Sequence, residues 1–157
     1  MAMTRIEASV DIAAPVEEVF AYASDWRLWE DWWEGVSSFK PTTERTRGTG
    51  TRYAYKAWGA GLTINLEAEI HDFVENVGWR AVGTKGMPHR TKWVFEAKGG
   101  TTRLTYFLEY SLPVPLLDSL LMKPGWQRRL ERSLQNLKLH FEKQASSGMK
   151  EVSRTNM

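Results

Sequence analysis

The chain has 157 residues, 42% apolar and 25% charged, with 21 basic residues against 19 acidic ones and no cysteine. A net charge of +2 is too balanced to argue for a nucleic-acid partner, and the lack of thiols excludes disulfides, thiolate catalysis and cysteine metal sites. The N-terminus MAMTRIEASVDI lacks the apolar core of a secretory signal, and no run approaches the roughly 18 apolar residues of a membrane span, so a cytoplasmic protein without stable membrane insertion is expected.

Ile6, Ala8, Val10 and Ile12 alternate with Glu7, Ser9 and Asp11, which predicts a half-buried first strand with even positions inward. Ala14-Pro15 stops it and opens a short helix with Glu17 and Glu18 in its first turn and Val16, Val19, Phe20 and Ala23 on its buried face. Ser24-Asp25 ends that helix and can cap a second, predicted over Trp26 to Glu34 and stopped by Gly35. Four of the eight tryptophans lie here, and helical spacing puts Trp26, Trp29 and Trp33 on one stripe with Trp32 to the side. Packing is the simpler reading of this cluster, and contact with a ligand at a cavity mouth is the other.

Strands are predicted over Val36 to Pro41, Thr49 to Ala57, Leu62 to Phe73, Val77 to Thr84, Arg90 to Lys98 and Thr102 to Leu112, the last two joined at Gly99-Gly100. Short connections make them an antiparallel meander. Pro113 and Pro115 close it, and the apolar cluster Leu116, Leu117, Leu120, Leu121 and Met122 follows beside Pro124-Gly125. That cluster caps the core or forms a movable gate.

From Trp126 to Ala145 a long helix is predicted, with Leu130, Leu134, Leu137 and Phe141 on one stripe. Arg128, Arg129, Arg132 and Lys138 make the remaining circumference basic and solvated. A helix of this kind must bury its stripe, and the sheet is the large apolar surface on offer. The fold class is therefore α+β, one curved antiparallel sheet wrapped around a long C-terminal helix. Residues 1–145 form a single ligand-binding domain, and 146–157, without periodicity, form a flexible tail.

The order of elements resembles the START-like superfamily, also called SRPBCC or Bet v 1-like. The opening IEASVDIAAPVEEVFAYASDWRLWEDWWEGV, Ile6 to Val36, is similar to the family's strand, Ala-Pro, Val-Phe helix and Trp-Trp pair. Gly48-Thr-Gly-Thr, the hairpin GGTTRL from Gly99 and the ending LQNLKLHFE from Leu134 are similar to later family segments. Among its branches the chain most resembles the polyketide cyclase/dehydrase and lipid-transport group, and Gly125-Trp126 more weakly resembles a cochaperone-like branch. The resemblance implies a helix-grip fold with a hydrophobic cavity between sheet and helix, and members that bind lipids, sterols or polyketides.

Alternation supplies the candidate lining. Tyr53, Tyr55, Leu66, Trp79, Trp93, Phe95, Leu104, Tyr106, Leu108 and Tyr110 are expected on the inner face of the sheet, with Leu120, Leu130 and Leu134 opposing them. By composition alone these side chains fill a core, and the resemblance turns the balance toward a cavity. Glu67, Glu69, His71 and Glu109 fall on the outer face, so no buried acid–base pair is expected, and no catalytic residue, cofactor or metal ligand is assigned. His71, His89 and His140 sit in no ligand spacing and are read as surface or satisfied histidines. The expected function is binding or transport of a hydrophobic small molecule. A cyclase or dehydratase acting on a polyketide-like substrate held by Tyr53, Tyr106 and Tyr110 is the alternative, and a cochaperone-like interaction module the third. A homodimer is compatible with this reading.

Overall fold

The computed structural model of the chain describes residues 3–59, 61–111 and 123–155. Alternation in the first segment gives strand β1, Thr4–Ile12, with Ile6 and Ile12 buried. Pro15 then caps helix α1, Val16–Ala23, which buries Val16, Val19, Phe20 and Ala23 as its pattern predicts. The Asp25 carboxylate accepts from the Arg27 backbone N–H at 3.1 Å and starts the next element.

That element is not the continuous helix expected from Trp26 to Glu34. It is a single 3-10 turn, Trp26–Leu28, followed by one turn of helix α2, Trp29–Trp32. Trp33 already has extended backbone, so Trp26, Trp29 and Trp33 do not form a stripe. Trp29 and Trp32 are the buried members, and Trp26 and Trp33 are half-buried. Two local features impose this geometry. The Trp29 indole N–H donates to the Ala23 carbonyl at 2.8 Å, and Gly35 takes a left-handed φ of +83° that turns the chain away.

Six more strands follow: β2 Val36–Pro41, β3 Arg52–Gly59, β4 Leu62–Val74, β5 Gly78–Lys85, β6 His89–Lys98 and β7 Thr101–Tyr110. All pair antiparallel in one sheet of order β1-β7-β6-β5-β4-β3-β2, a meander with the first strand returned to the edge beside the last. Register aligns the inward residues in rows. Ala8, Tyr106, Trp93 and Trp79 form one row and Ile6, Leu108, Thr91 and Ala81 another. The pairing of β4 and β5 shifts between Glu67–Lys85 and Ala68–Gly83, which leaves Thr84 as an extra residue. At that bulge Glu67, expected in solvent, is buried, and it accepts from the Thr84 hydroxyl at 2.8 Å. Leu62, expected inward, is exposed at the start of β4.

Helix α3 runs Lys123–Thr155, starting before Trp126 and continuing past Ala145 through residues that the sequence alone presents as a tail. Leu130, Leu134, Leu137 and Phe141 are all buried against the sheet and α1. The helix crosses β1, where the Gln127 amide donates to the Glu7 carbonyl at 3.0 Å. Its other flank holds the segment after α2. The Ser133 hydroxyl accepts from the Glu34 N–H at 2.8 Å, the Asn136 amide donates to the Trp32 carbonyl at 3.2 Å, and Arg132 pairs with Glu34 at 3.0 Å. This is the helix-grip architecture, a curled seven-stranded sheet around a long helix. Among the described residues no helix is long and apolar enough to cross a membrane.

Candidate functional site

A pocket opens between the sheet and the first turns of α3. It encloses about 580 Å³, counting the space at its open mouth. Ile6 of β1, Leu66 of β4 and Tyr106 and Leu108 of β7 form its floor, and Trp126 and Leu130 of α3 its roof. Trp33, Val36, Ala57 and Trp58 make the side wall, with Trp58 40% exposed at the rim. These walls are mostly apolar because the strands contribute mainly inward residues, with Trp58 of β3 added at the rim.

One polar cluster interrupts them. The Tyr55 hydroxyl and His89 Nε2 lie 2.6 Å apart, and His89 Nδ1 lies 2.7 Å from the Met87 carbonyl oxygen. A carbonyl can only accept, so Nδ1 carries the proton. Burial pushes the His89 pKa down, against the Met87 hydrogen bond that raises it, and favours the neutral ring. In that ring Nε2 is an acceptor, and the Tyr55 hydroxyl donates to it. Burial raises the Tyr55 phenol well above its usual value, and it raises Tyr106 as well, so both hydroxyls stay protonated. Thr91, buried beside them, completes the polar side.

His89 owes its position to a glycine. A Cβ on Gly83 of β5 would come within 2.5 Å of His89 Nδ1 and 2.6 Å of Cε1, so the imidazole occupies space that any side chain at Gly83 would fill. Arg129 also departs from expectation. It lines the mouth, donates to the Trp58 carbonyl and packs its Cδ 3.0 Å from where a Cβ on Gly35 would sit. It is therefore a wall of the pocket rather than part of a solvated basic face.

The residues singled out from sequence divide into groups. Tyr55, Leu66, Tyr106, Leu108 and Leu130 line the pocket. Tyr53, Trp79 and Trp93 line a second, smaller space of about 360 Å³ that Tyr55 and Trp33 also border. It is largely filled by rings, with Trp79 stacked on Trp93 at 5.5 Å and Trp29 against Tyr53 at 4.9 Å. The Tyr53 hydroxyl is committed to the Thr46 carbonyl at 2.6 Å, and burial lifts its pKa to about 12. Phe95 packs against Phe20 at 4.9 Å, Tyr110 against Trp126 at 4.7 Å, and Leu134 is 1% exposed, so these three belong to packed core. Leu120 and the expected gate of Leu116 to Met122 lie outside the described residues.

Sequence reasoning missed His89, Thr91 and Arg129, whereas Trp33 belongs to the tryptophan cluster for which ligand contact at a cavity mouth is the second reading. The signal for the first two is present, since both share the parity of Trp93 and Phe95 on β6; the predicted strand begins at Arg90, one residue late for His89, while Thr91 lies inside it. Among the described residues no cluster of His, Asp or Glu stands close enough to hold a metal ion.

Comparison with known proteins agrees with this architecture. A family model described as polyketide cyclase/dehydrase and lipid transport matches residues 3–142. A crystal structure of a Thermus thermophilus protein is similar, with 26% identity, a TM-score of 0.74 and coverage of 88% of this chain and 97% of the other. A START superfamily protein from Mycobacterium smegmatis has 15% identity and a TM-score of 0.71 over 88% of this chain and 99% of its own. The Zhui aromatase/cyclase of a Streptomyces species has 16% identity and a TM-score of 0.69 over 92% and 96%. No curated protein matches the chain by sequence.

Proposed function

The chain belongs to the polyketide cyclase/dehydrase and lipid-transport family, and from that membership we propose that it binds a small, ring-bearing hydrophobic molecule in the pocket between sheet and helix. The observation that carries this reading is the arrangement of apolar walls from β1, β4, β7 and α3 around one polar point, the Tyr55–His89 pair. Burial of apolar ligand surface supplies the affinity, at roughly 25 cal/mol per Å², and the polar point orients the molecule. Titration of the full chain with naphthalene by calorimetry tests the reading. Saturable uptake is expected, and Leu130→Trp should abolish it by filling the space under α3. No uptake of any aromatic probe, in a protein that unfolds cooperatively, would refute the binding function.

His89 favours a second reading. A buried imidazole that touches a pocket hydroxyl is the acid–base group that a cyclase or dehydratase needs, and the similar Streptomyces structure bears the name aromatase/cyclase. Turnover of a polyketide-like substrate that is lost in a His89→Phe variant would establish it. An interaction module using the Trp-rich segment is favoured less, since Trp29 and Trp32 are buried and Trp26 and Trp33 half-buried.

A further inference from the structure

Resting on the binding function proposed above, we infer that the polar point of the pocket selects ligands carrying a hydroxyl donor, a phenol or enol, over ligands that offer only an acceptor such as an ether or ketone. Two hydrogen bonds fix the donor and acceptor directions at this point. The Met87 carbonyl fixes the proton on His89 Nδ1, which leaves Nε2 bare. Nε2 then accepts from the Tyr55 hydroxyl at 2.6 Å. The phenolic oxygen of Tyr55 has committed its only hydrogen, and what it turns to the pocket is lone pairs.

A side chain that can normally donate or accept is thereby made an acceptor. A ligand hydroxyl placed against it completes a relay: the ligand donates to Tyr55, the Tyr55 hydroxyl donates to His89 Nε2, and His89 Nδ1 donates to the Met87 carbonyl. An ether or ketone oxygen in the same place would face lone pairs with lone pairs. To donate to such a ligand, Tyr55 itself would have to rotate its hydrogen away from His89, which leaves a buried Nε2 without a donor. Such an orphaned acceptor is costly because His89 is only 4% exposed. His89 cannot swing aside to relieve it, because its ring is held against Gly83 and its Nδ1 against Met87. The depressed basicity of the buried imidazole works the same way, since a protonated Nε2 would hand Tyr55 its donor role back.

Three probes of one shape separate the alternatives. Naphthol, its methyl ether and naphthalene are titrated against the full chain near neutral pH, by calorimetry and by quenching of the tryptophans that line the pocket. Wild type should bind naphthol about tenfold more tightly than the methyl ether, the effect of one net hydrogen bond. In Tyr55→Phe the ratio of naphthol affinity to methyl-ether affinity should fall toward one, whatever the change in overall affinity. If wild type binds all three alike, or prefers the ether, the donor selection is overturned while the pocket stands. Preference for naphthol retained in Tyr55→Phe also overturns it. If wild type binds none of the three, the binding function itself fails, and this inference with it. The wild-type comparison alone decides the point should Tyr55→Phe fold poorly.

Discussion

The backbone N–H of Glu34 donates to the Ser133 hydroxyl at 2.8 Å, a bond spanning 99 residues that ties the Trp-rich segment to the N-terminal third of the long helix. Ser133 is fully buried, and its own hydrogen goes back to the Arg129 carbonyl one turn earlier. A polar residue interrupts an otherwise apolar stripe here because the loop entering β2 has a donor to satisfy. Ser133→Ala should therefore leave the Glu34 N–H unpaired and cost about 1–3 kcal/mol. Denaturant unfolding measures it. A change below about 0.5 kcal/mol would show that water replaces the hydroxyl.

Leu130 and Leu134 are one turn apart on the same stripe, yet they meet different surroundings. Leu130 lines the pocket, whereas Leu134 is 1% exposed within the packed cluster. Leu134→Trp should overpack that cluster and lower stability by about 1–3 kcal/mol. Leu130→Trp can extend its ring into the pocket, so its melting temperature should stay close to wild type while probe binding disappears. Equal destabilisation by both would mean that the pocket is no roomier than the core.

Stability should depend on pH through His89. Its folded-state pKa lies below the ordinary value of 6.5, so the unfolded chain takes up a proton before the native one does. The contribution is complete above pH 6.5 and is lost as pH falls from there through the folded pKa. Wild type should lose more stability than His89→Gln across that acidic range in parallel denaturant titrations. Identical slopes would remove His89 from the linkage. His140, also depressed by burial, is common to both proteins and cancels.

Gly83→Ala tests the support behind the site. The added methyl meets the His89 ring at 2.5–2.6 Å, so the imidazole must move and its bond to Tyr55 must break. Naphthol affinity should fall toward that of the methyl ether, although Gly83 sits behind His89 on the neighbouring strand. Unchanged discrimination, with wild-type stability, would show that the ring has another place to go.

The sheet was legible because alternation is a local property. Ile6 through Ile12, Trp93 with Phe95, and Leu104 through Tyr110 declare their buried side one residue at a time. The stripe from Leu130 to Phe141 is equally local, and the resemblance supplied the way the two pack. Non-local features of the site were not legible. Tyr55 and His89 stand on β3 and β6, three strand spacings apart, or roughly 14 Å across a flat sheet. Only the curl of the sheet lets their side chains meet, and no spacing of residues records curl. Polarity around the helix points Arg129 to solvent, and nothing in the sequence says that the Trp58 carbonyl lies within its reach. The stripe of Trp26, Trp29 and Trp33 failed for a third reason: a 3-10 turn winds more tightly than the spacing assumed.

Among the described residues, strand β1 pairs in the sheet with β7 alone, Thr4 opposite Tyr110, and it is crossed by the helix that follows. During synthesis the first strand therefore leaves the ribosome with no partner, and it must wait until the last strand and the helix have emerged. The intervening hairpins can form early, since each closes a short loop, but they remain an open sheet with an aromatic concave face. Commitment to the native state is thus deferred to the C-terminal third of the chain. Folding should be slow for a protein of this length, and a ribosome-stalled fragment ending before Lys123 should be more prone to aggregate than the released chain.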